Sequence, residues 1–396
     1  MATSPAVPAV PAVPAVRLPP RPVEHLPMMD WLRGLASLAV VFFHLNVVKG
    51  DVNDAYTGLC QVGWLGVPVF FAISGWCMAG LSERSQGPGR FLLARLLRLH
   101  PPYLASVGVT LAALLIIKLT TGHNDITPLP SSPGAVLATL LLATKPVTAV
   151  KTINWSYWSL PVEFGFYVLT SLVLVLNQRR GRGPGQALLL VLLVLGLVLN
   201  LSGQHLIATP LFWLPWFPHF ALGWIAQQWS QARWAPLPAA LTAVVALAGA
   251  AVGQNQSMEG GHYVGPEALM ATVAALATVG LLLLGRRRLG QGLAAGPVGA
   301  TLTHLGQISY SVYLLHVPIG CYLLLRLRRG PWLEQLPLHM AYDAMVVLVI
   351  VAASTLFHRW IEQPCHRWSR RIGRSPQAMA VVSGAPAAAE AVAAGR

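Results

Sequence analysis

Ten apolar runs, each close to the length that crosses a bilayer, limit what this chain can fold into more than any other feature. A helix needs about 20 mostly apolar residues to span the hydrocarbon core. Only 10% of the residues are charged, whereas soluble domains carry roughly 25%. The pattern predicts an all-α fold, a polytopic membrane helix bundle of about ten transmembrane helices. The predicted spans are about 30–48, 62–81, 101–119, 157–177, 186–202, 211–229, 236–253, 267–285, 304–325 and 338–361.

Segments of low complexity flank the apolar body. Pro-Ala-Val triplets repeat from Pro5 to Val16, and proline disfavours helix, so residues 1–27 are predicted to form a disordered tail. Residues 28–366 form the predicted membrane domain. Residues 367–396, basic at first and then rich in alanine, are predicted to form a second disordered tail.

The net charge of +14 raises the possibility of nucleic-acid binding, but the positions of the charges argue against it. Lys and Arg fall mainly in short loops, as the positive-inside rule describes. With ten spans, their bias predicts a multi-pass cell-membrane protein with both termini in the cytoplasm. Arg326, Arg328 and Arg329 oppose this trend. The four cysteines lack CxxC spacing, so neither a metal site nor a disulfide framework is predicted.

The first span places an arginine and a histidine on one helical face. Arg33 and His44 are eleven residues apart, so at ~100° per residue they differ in direction by about 20°. At ~1.5 Å per residue they lie roughly 16 Å apart along the axis. A fixed cation at one end and a titratable base at the other suit a functional site. Alternatively, Arg33 is a flanking residue that reaches the interface, and His44 only hydrogen-bonds a neighbouring helix.

The pattern Asp30-x-x-Arg33-Gly34-x-Ala36, followed by His44, resembles the opening helix of the acyltransferase 3 family. Five further segments resemble later motifs of that family and occur in the same order. They are Gly66-Val-Pro68-Val-Phe70-Phe71-Ala-Ile-Ser74-Gly75, Arg95-Leu-Leu-Arg98-Leu-His100-Pro101-Pro102-Tyr103, Asn154-Trp155-Ser156-Tyr157-Trp158-Ser159-Leu160-Pro-Val-Glu163-Phe-Gly-Phe-Tyr167, Gly306-x-x-Ser309-Tyr310-x-x-Tyr313-Leu314-x-His316 and Glu362-x-Pro364.

The resemblance implies an integral membrane O-acyltransferase. Its donor would be cytoplasmic acyl-CoA, most often acetyl-CoA, with no permanently bound cofactor and no metal. Its acceptor would be a hydroxyl of a sugar, a glycolipid or a macrolide-like compound. The resemblance assigns catalysis to His44, and whether that residue acts as a base or carries the acyl group stays open. Arg33, Arg95 and Arg98 are expected to bind the CoA phosphates, and the alternative is simple positive-inside flanking.

Glu163 and His316 fall at a depth similar to that of His44 in their predicted spans. We therefore expect the three to line one water-accessible cavity, with Glu163 as a second catalytic residue beside an imidazole. Alternatively, Glu163 bridges helices and His316 pairs with backbone. The residues expected to support the cavity are Asp30, Ser74, Trp158, Tyr167, Ser309, Tyr310 and His316.

A proton-coupled small-molecule transporter is the competing function. Ten spans with embedded acidic and imidazole groups would also suit such a carrier. Transporters often carry internal repeats, but the Arg/His pattern of the first span has no counterpart in the second half of the sequence. The sequence therefore favours the enzyme over the carrier.

Overall fold

The computed structural model describes the chain between its two ends, with short gaps. The predicted tails at 1–25 and 374–396 lie outside the described residues, as do Arg326, Arg328 and Arg329. The described residues are 26–47, 54–82, 87–122, 126–127, 129–202, 206, 208–252, 254–258, 261–263, 265–285, 296–325 and 335–373.

Thirteen α-helices run through the described residues. Local sequence sets several of their ends: Asp54 and Ser132 cap helices through their side chains, and Gly122 ends a helix in the left-handed conformation. The helices are α1 Pro27–Val47, α2 Ala55–Gln61, α3 Gly66–Ser82, α4 Pro88–Thr121, α5 Pro133–Leu140, α6 Ser159–Arg180, α7 Arg182–Leu201, α8 Phe217–Ser230, α9 Pro236–Val252, α10 Pro266–Leu284, α11 Pro297–Leu315, α12 Leu336–Phe357 and α13 Gln363–Gly373.

Shorter elements connect or extend these helices. One small antiparallel hairpin interrupts the helical fold, with β1 Gln254–Met258 paired to β2 Gly261–Tyr263. π-Helical segments extend α11 and α12, over His316–Leu324 and His358–Glu362. The 3₁₀ segments are Val62–Leu65, Trp155–Trp158 and Leu214–Trp216.

Seven helical stretches of the described residues are long and apolar enough to cross a membrane. Each of the ten predicted spans overlaps a helix, but α8 and α9 have only 14 and 17 residues, and α11 carries several Thr, Ser and His side chains. The predicted count of about ten is therefore not confirmed. The seven stretches are Pro27–Val47, Ala55–Ser82, Pro88–Thr121, Trp155–Arg180, Gly183–Leu201, Pro266–Leu284 and Leu336–Ile372.

Helices α4 and α13 extend beyond the bounds predicted from the sequence. Helix α4 begins at Pro88, before the predicted membrane span at about 101–119, and passes through Pro101 and Pro102. Residues 367–373, predicted to begin a disordered tail, belong to α13. Their basic composition resembles that of a tail, but Ser369 is buried and its hydroxyl donates to the Ala94 carbonyl of α4 at 2.7 Å.

Helix α1 packs closely against α11 because glycine occupies the contact. A Cβ on Gly306 would lie 2.1 Å from the Asp30 carbonyl oxygen, and a Cβ on Gly34 would lie 2.9 Å from the Gly306 nitrogen. Small residues let helix backbones approach in a membrane, where close packing is a main source of association. This contact fixes α1 and α11 side by side and determines which of their side chains meet further along.

We expect Gly306→Ala to destabilise the protein, because the added methyl group would meet backbone atoms of α1 that cannot rotate away. Overpacking of this type costs about 1–3 kcal/mol. Thermal unfolding of the detergent-solubilised protein measures the effect. Gly108→Ala is the matched control, since nothing lies within 4 Å of a Cβ there. Equal melting temperatures for the two variants would contradict the proposed close contact.

Candidate active site

Two histidines meet at the α1–α11 interface. His44 lies in the last turn of α1, and His316 directly follows α11. Nε2 of His316 is 3.1 Å from Nδ1 of His44, and the ring centroids are 4.9 Å apart. His316 is buried and His44 is partly buried. The structure thus brings together two of the residues that the sequence singled out.

Two backbone carbonyls at the end of α11 hold the ring of His316. Nδ1 of His316 lies 2.8 Å from the Tyr313 carbonyl oxygen and 3.2 Å from that of Val312. A ring nitrogen that faces two carbonyl oxygens acts as a donor, so it carries a proton.

That proton determines the tautomers of both neutral rings. Nε2 of a neutral His316 is an acceptor. Nδ1 of His44 therefore faces two acceptors, this nitrogen and the Val40 carbonyl oxygen at 3.0 Å, and it must donate. A neutral His44 consequently keeps its lone pair on Nε2, where it can take a proton from another molecule.

Trp155 borders the histidine pair. Its ring centroid is 6.3 Å from that of His44 and 5.1 Å from that of Tyr322. Trp158, expected to support the same cavity, packs instead against Phe71 and Trp216, at 6.4 and 5.0 Å. Of these two tryptophans, only Trp155 therefore has a ring contact with a histidine of the pair among the described residues.

Glu163 belongs to a second polar cluster. Its Oε1 accepts hydrogen bonds from the Ser74 hydroxyl at 3.1 Å and from the Tyr167 hydroxyl, which are two of the expected supporting residues. Within the described part of the chain, the histidine pair is oriented by backbone carbonyls and not by this carboxylate. One cavity shared by Glu163 and the two histidines stays a prediction.

Three arginines gather near Glu163. The charges of Arg33, Arg95 and Arg98 all act on the thiol of Cys77, as does that of Glu163. Nε and Nη1 of Arg95 are buried, and neither has a hydrogen-bond partner among the described residues. A buried guanidinium with unused donors is suited to binding an anion, because it presents a fixed fork of N–H groups.

Sequence reasoning missed the buried carboxylate of Glu362 as part of this region. Its oxygens contact His358 Nδ1 at 3.0 Å and His366 Nε2 at 3.3 Å, and Ser311 donates a hydrogen bond to it. The charge of Arg98 acts on His366, so this group adjoins the arginines. The Glu362-x-Pro364 match was the signal that could have identified it.

A buried clamp on Asp343 fixes the chain just beyond His44. Asp343 Oδ2 accepts hydrogen bonds from Asn46 Nδ2 at 2.9 Å and from the Tyr56 hydroxyl at 3.0 Å. His339 Nε2 lies 3.1 Å from the same oxygen and 3.0 Å from Asn46 Oδ1. The clamp joins α1, α2 and α12. No local sequence pattern indicates these contacts.

The remaining predicted residues lie between these clusters. The Ser309 hydroxyl donates to the Gly306 carbonyl at 2.8 Å, which is a local helical contact. The Tyr310 hydroxyl donates to the Leu99 carbonyl at 2.9 Å and so links α11 to α4. Asp30 packs its backbone against Gly306.

A cavity of about 240 Å³ lies apart from all of these residues, beside Ser82, Asn177, Trp224 and Gln228. No predicted site residue lines it. The described residues contain no group of three or more His, Cys, Asp and Glu side chains that could hold a metal ion.

We expect Asp343→Ala to lower stability strongly, because it removes the carboxylate that accepts hydrogen bonds from the Asn46 amide and the Tyr56 hydroxyl and that lies beside His339. Breaking a buried, charged network of this type costs about 3–5 kcal/mol. Thermal unfolding measures the loss, with Glu267→Ala as the control at an exposed acidic residue. If the two variants had the same melting temperature, the clamp would contribute nothing to stability.

Comparison with known proteins agrees with the resemblance read from the motifs. A family profile described as an acyltransferase domain, Acyl_transf_3, matches residues 27–359. The chain is 28% identical to acyltransferase MdmB of Streptomyces mycarofaciens, over 88% of this chain and 94% of that protein. It is 28% identical to BcsY of Komagataeibacter xylinus, whose name describes a membrane-bound transacylase, over 85% and 81%.

A protein of Staphylococcus aureus strain COL, SACOL0978, whose name describes an O-acetyltransferase, is 25% identical over 46% of this chain and 31% of that protein. No solved structure matches the chain. The family profile covers more than four fifths of the sequence, including both histidines and all three arginines of the site. The chain therefore belongs to the acyltransferase 3 family and is a multi-pass membrane acyltransferase.

Proposed function

We propose that this enzyme transfers an acyl group, most often acetyl, from cytoplasmic acyl-CoA to a hydroxyl of a carbohydrate or related acceptor. One observation supports this above all: α1 carries Arg33 near the other two arginines and His44 against His316. The two residues share a face and are roughly 16 Å apart along the helix. One helix therefore joins an anion-binding region to a base.

The arginines are suited to the phosphates of CoA. Arg95 offers two buried N–H groups without a partner among the described residues, and Arg33 and Arg98 add fixed charge beside it. Guanidinium groups bind phosphate through paired, charge-assisted hydrogen bonds. With the phosphates held there, the thin pantetheine arm would extend along α1 and bring the thioester to His44. The Lys and Arg bias of the loops supports a cytoplasmic entrance and cytoplasmic termini.

The histidine pair supplies the base. Nε2 of His44 holds the lone pair, so it can accept the hydroxyl proton of the acceptor as the oxygen attacks the thioester. His316 sustains this role by keeping the His44 proton on Nδ1, at 3.1 Å. Glu163 would act at the arginine cluster as a counter-charge, through its contacts with Ser74 and Tyr167.

We expect His44→Ala to lower turnover by about 10²–10⁴-fold, the usual contribution of a general base. The assay follows radiolabelled acetyl-CoA in membranes supplied with hydroxylated acceptors and separates the labelled product. His304→Ala is the matched control, because that histidine is exposed and its Nε2 lies 3.1 Å from the Thr355 hydroxyl, away from the histidine pair. Equal labelling by His44→Ala and the wild type would remove His44 from catalysis.

The same assay separates the enzyme from a carrier. An acyltransferase releases one CoA for each acylated acceptor, whereas a proton-coupled carrier moves an unmodified solute and releases none. Mass spectrometry of glycans and secreted metabolites, with and without the gene, identifies the acceptor from a mass difference of one acyl group. Solute uptake without CoA release would contradict the proposal.

We expect Arg95→Ala to raise KM for acetyl-CoA by about 10–100-fold, because hydrogen bonds to a charged group contribute roughly 1.5–3 kcal/mol. Turnover at saturating donor should fall much less, since Arg95 contacts the phosphates and not the reacting carbon. Steady-state kinetics at varied acetyl-CoA concentration measure the separate effects on KM and kcat. Arg179→Ala is the control, because Arg179 is exposed. A change in kcat alone would place Arg95 outside the donor site.

A further inference from the structure

The indole N–H of Trp155 is a buried donor without an acceptor. Nε1 of this residue has no hydrogen-bond partner among the described residues. A buried N–H left without an acceptor costs about 1–3 kcal/mol relative to a paired one. Trp31 and Trp213, by contrast, donate to Thr303 Oγ1 and to the Pro210 carbonyl, each at 3.1 Å. The ring that carries this unused donor borders His44, with the two ring centroids 6.3 Å apart.

The segment that carries Trp155 is held firmly against α11. The Tyr313 hydroxyl donates to the Ser156 carbonyl, and the Ser159 hydroxyl contacts Tyr313 at 2.7 Å. Asn154 Oδ1 accepts hydrogen bonds from both the backbone N–H and the hydroxyl of Ser156, at 3.0 and 2.8 Å. Tyr313 lies three residues before His316, so one side chain ties the tryptophan segment to the turn that orients the imidazole.

We propose that Trp155 is a catalytic residue that donates its indole N–H to the oxygen of the thioester carbonyl as negative charge develops there. This inference rests on the proposed acyl transfer. Acyl transfer needs a preorganised donor at that oxygen, in a site that excludes water. A ring spacing of 6.3 Å between Trp155 and His44 is compatible with one small group that reaches both.

The step balances without any further reactant. The acceptor oxygen forms a bond to the thioester carbon while His44 Nε2 takes the hydroxyl proton. The carbonyl π electrons move onto oxygen, and the resulting oxyanion accepts the hydrogen bond from Trp155 Nε1. When the intermediate collapses, the carbon–sulfur bond breaks and the CoA thiolate takes the proton from His44. The products are the acyl ester and CoA.

Trp155→Phe tests the proposal, because it removes the N–H and keeps an aromatic ring against Tyr322. We expect kcat to fall about 10²–10³-fold, the loss typical of one oxyanion donor, with KM for acetyl-CoA changed less than threefold. Trp213→Phe is the matched control, since it also deletes an indole N–H but lies outside the site, and its kcat should match the wild type. Wild-type kcat in Trp155→Phe would overturn the proposal.

Two further measurements give the test its specificity. Trp155 can also be replaced by benzothienylalanine, a non-natural tryptophan analogue in which sulfur takes the place of the indole N–H at nearly constant shape. A similar loss of kcat in this variant supports the donor role even if Trp155→Phe folds poorly. An increase in KM for the acceptor with kcat unchanged would instead make Trp155 an acceptor-binding platform and would overturn the oxyanion role. If the wild-type enzyme transferred no acetyl group, the proposed acyl transfer itself would be contradicted. If the wild type were active and Trp155→Phe were equally active, only the donor role of Trp155 would be contradicted.

Discussion

The close approach of α1 and α11 at Gly34 and Gly306 is the contact on which the site depends. Because no side chain separates the two backbones there, His44 and His316 come within hydrogen-bonding distance further along the same pair of helices. In lipid, apolar surface gains little from burial against another helix, so close packing and interhelical hydrogen bonds are the main sources of association. The glycine contact and the histidine pair therefore serve both stability and geometry.

Polar side chains of this protein are concentrated in a few clusters, and α1 contributes to three of them. Arg33 is near the other arginines, His44 meets its partner, and Asn46 joins the Asp343 clamp. Polar groups are costly in a membrane unless they are paired. The unused donors on Arg95 and Trp155 are two of several departures from this rule among the described residues. Such departures tend to occur where a ligand binds.

The helical periodicity of the sequence was sufficient to predict the Arg33–His44 face, because 3.6 residues per turn fixes direction along a single helix. The depth argument for Glu163 could not place it, since distance along a span does not determine which neighbour the side chain faces. Helix α13 was missed because its charges resemble those of a solvated tail, whereas the hydrogen bond from Ser369 to Ala94 is a tertiary contact. The Asp343 clamp joins residues almost 300 positions apart and leaves no local pattern.

The hydrogen bonds of the His316 ring have a consequence for covalent chemistry at this centre. Nδ1 of His316 donates to backbone carbonyls, while Nε2 of the same ring accepts from His44. Neither nitrogen of His316 is then available as a nucleophile. An acyl-imidazole intermediate, if the reaction used one, could form only at Nε2 of His44. The hydrogen bonds of the histidine pair thus restrict the enzyme to one nucleophilic nitrogen out of four.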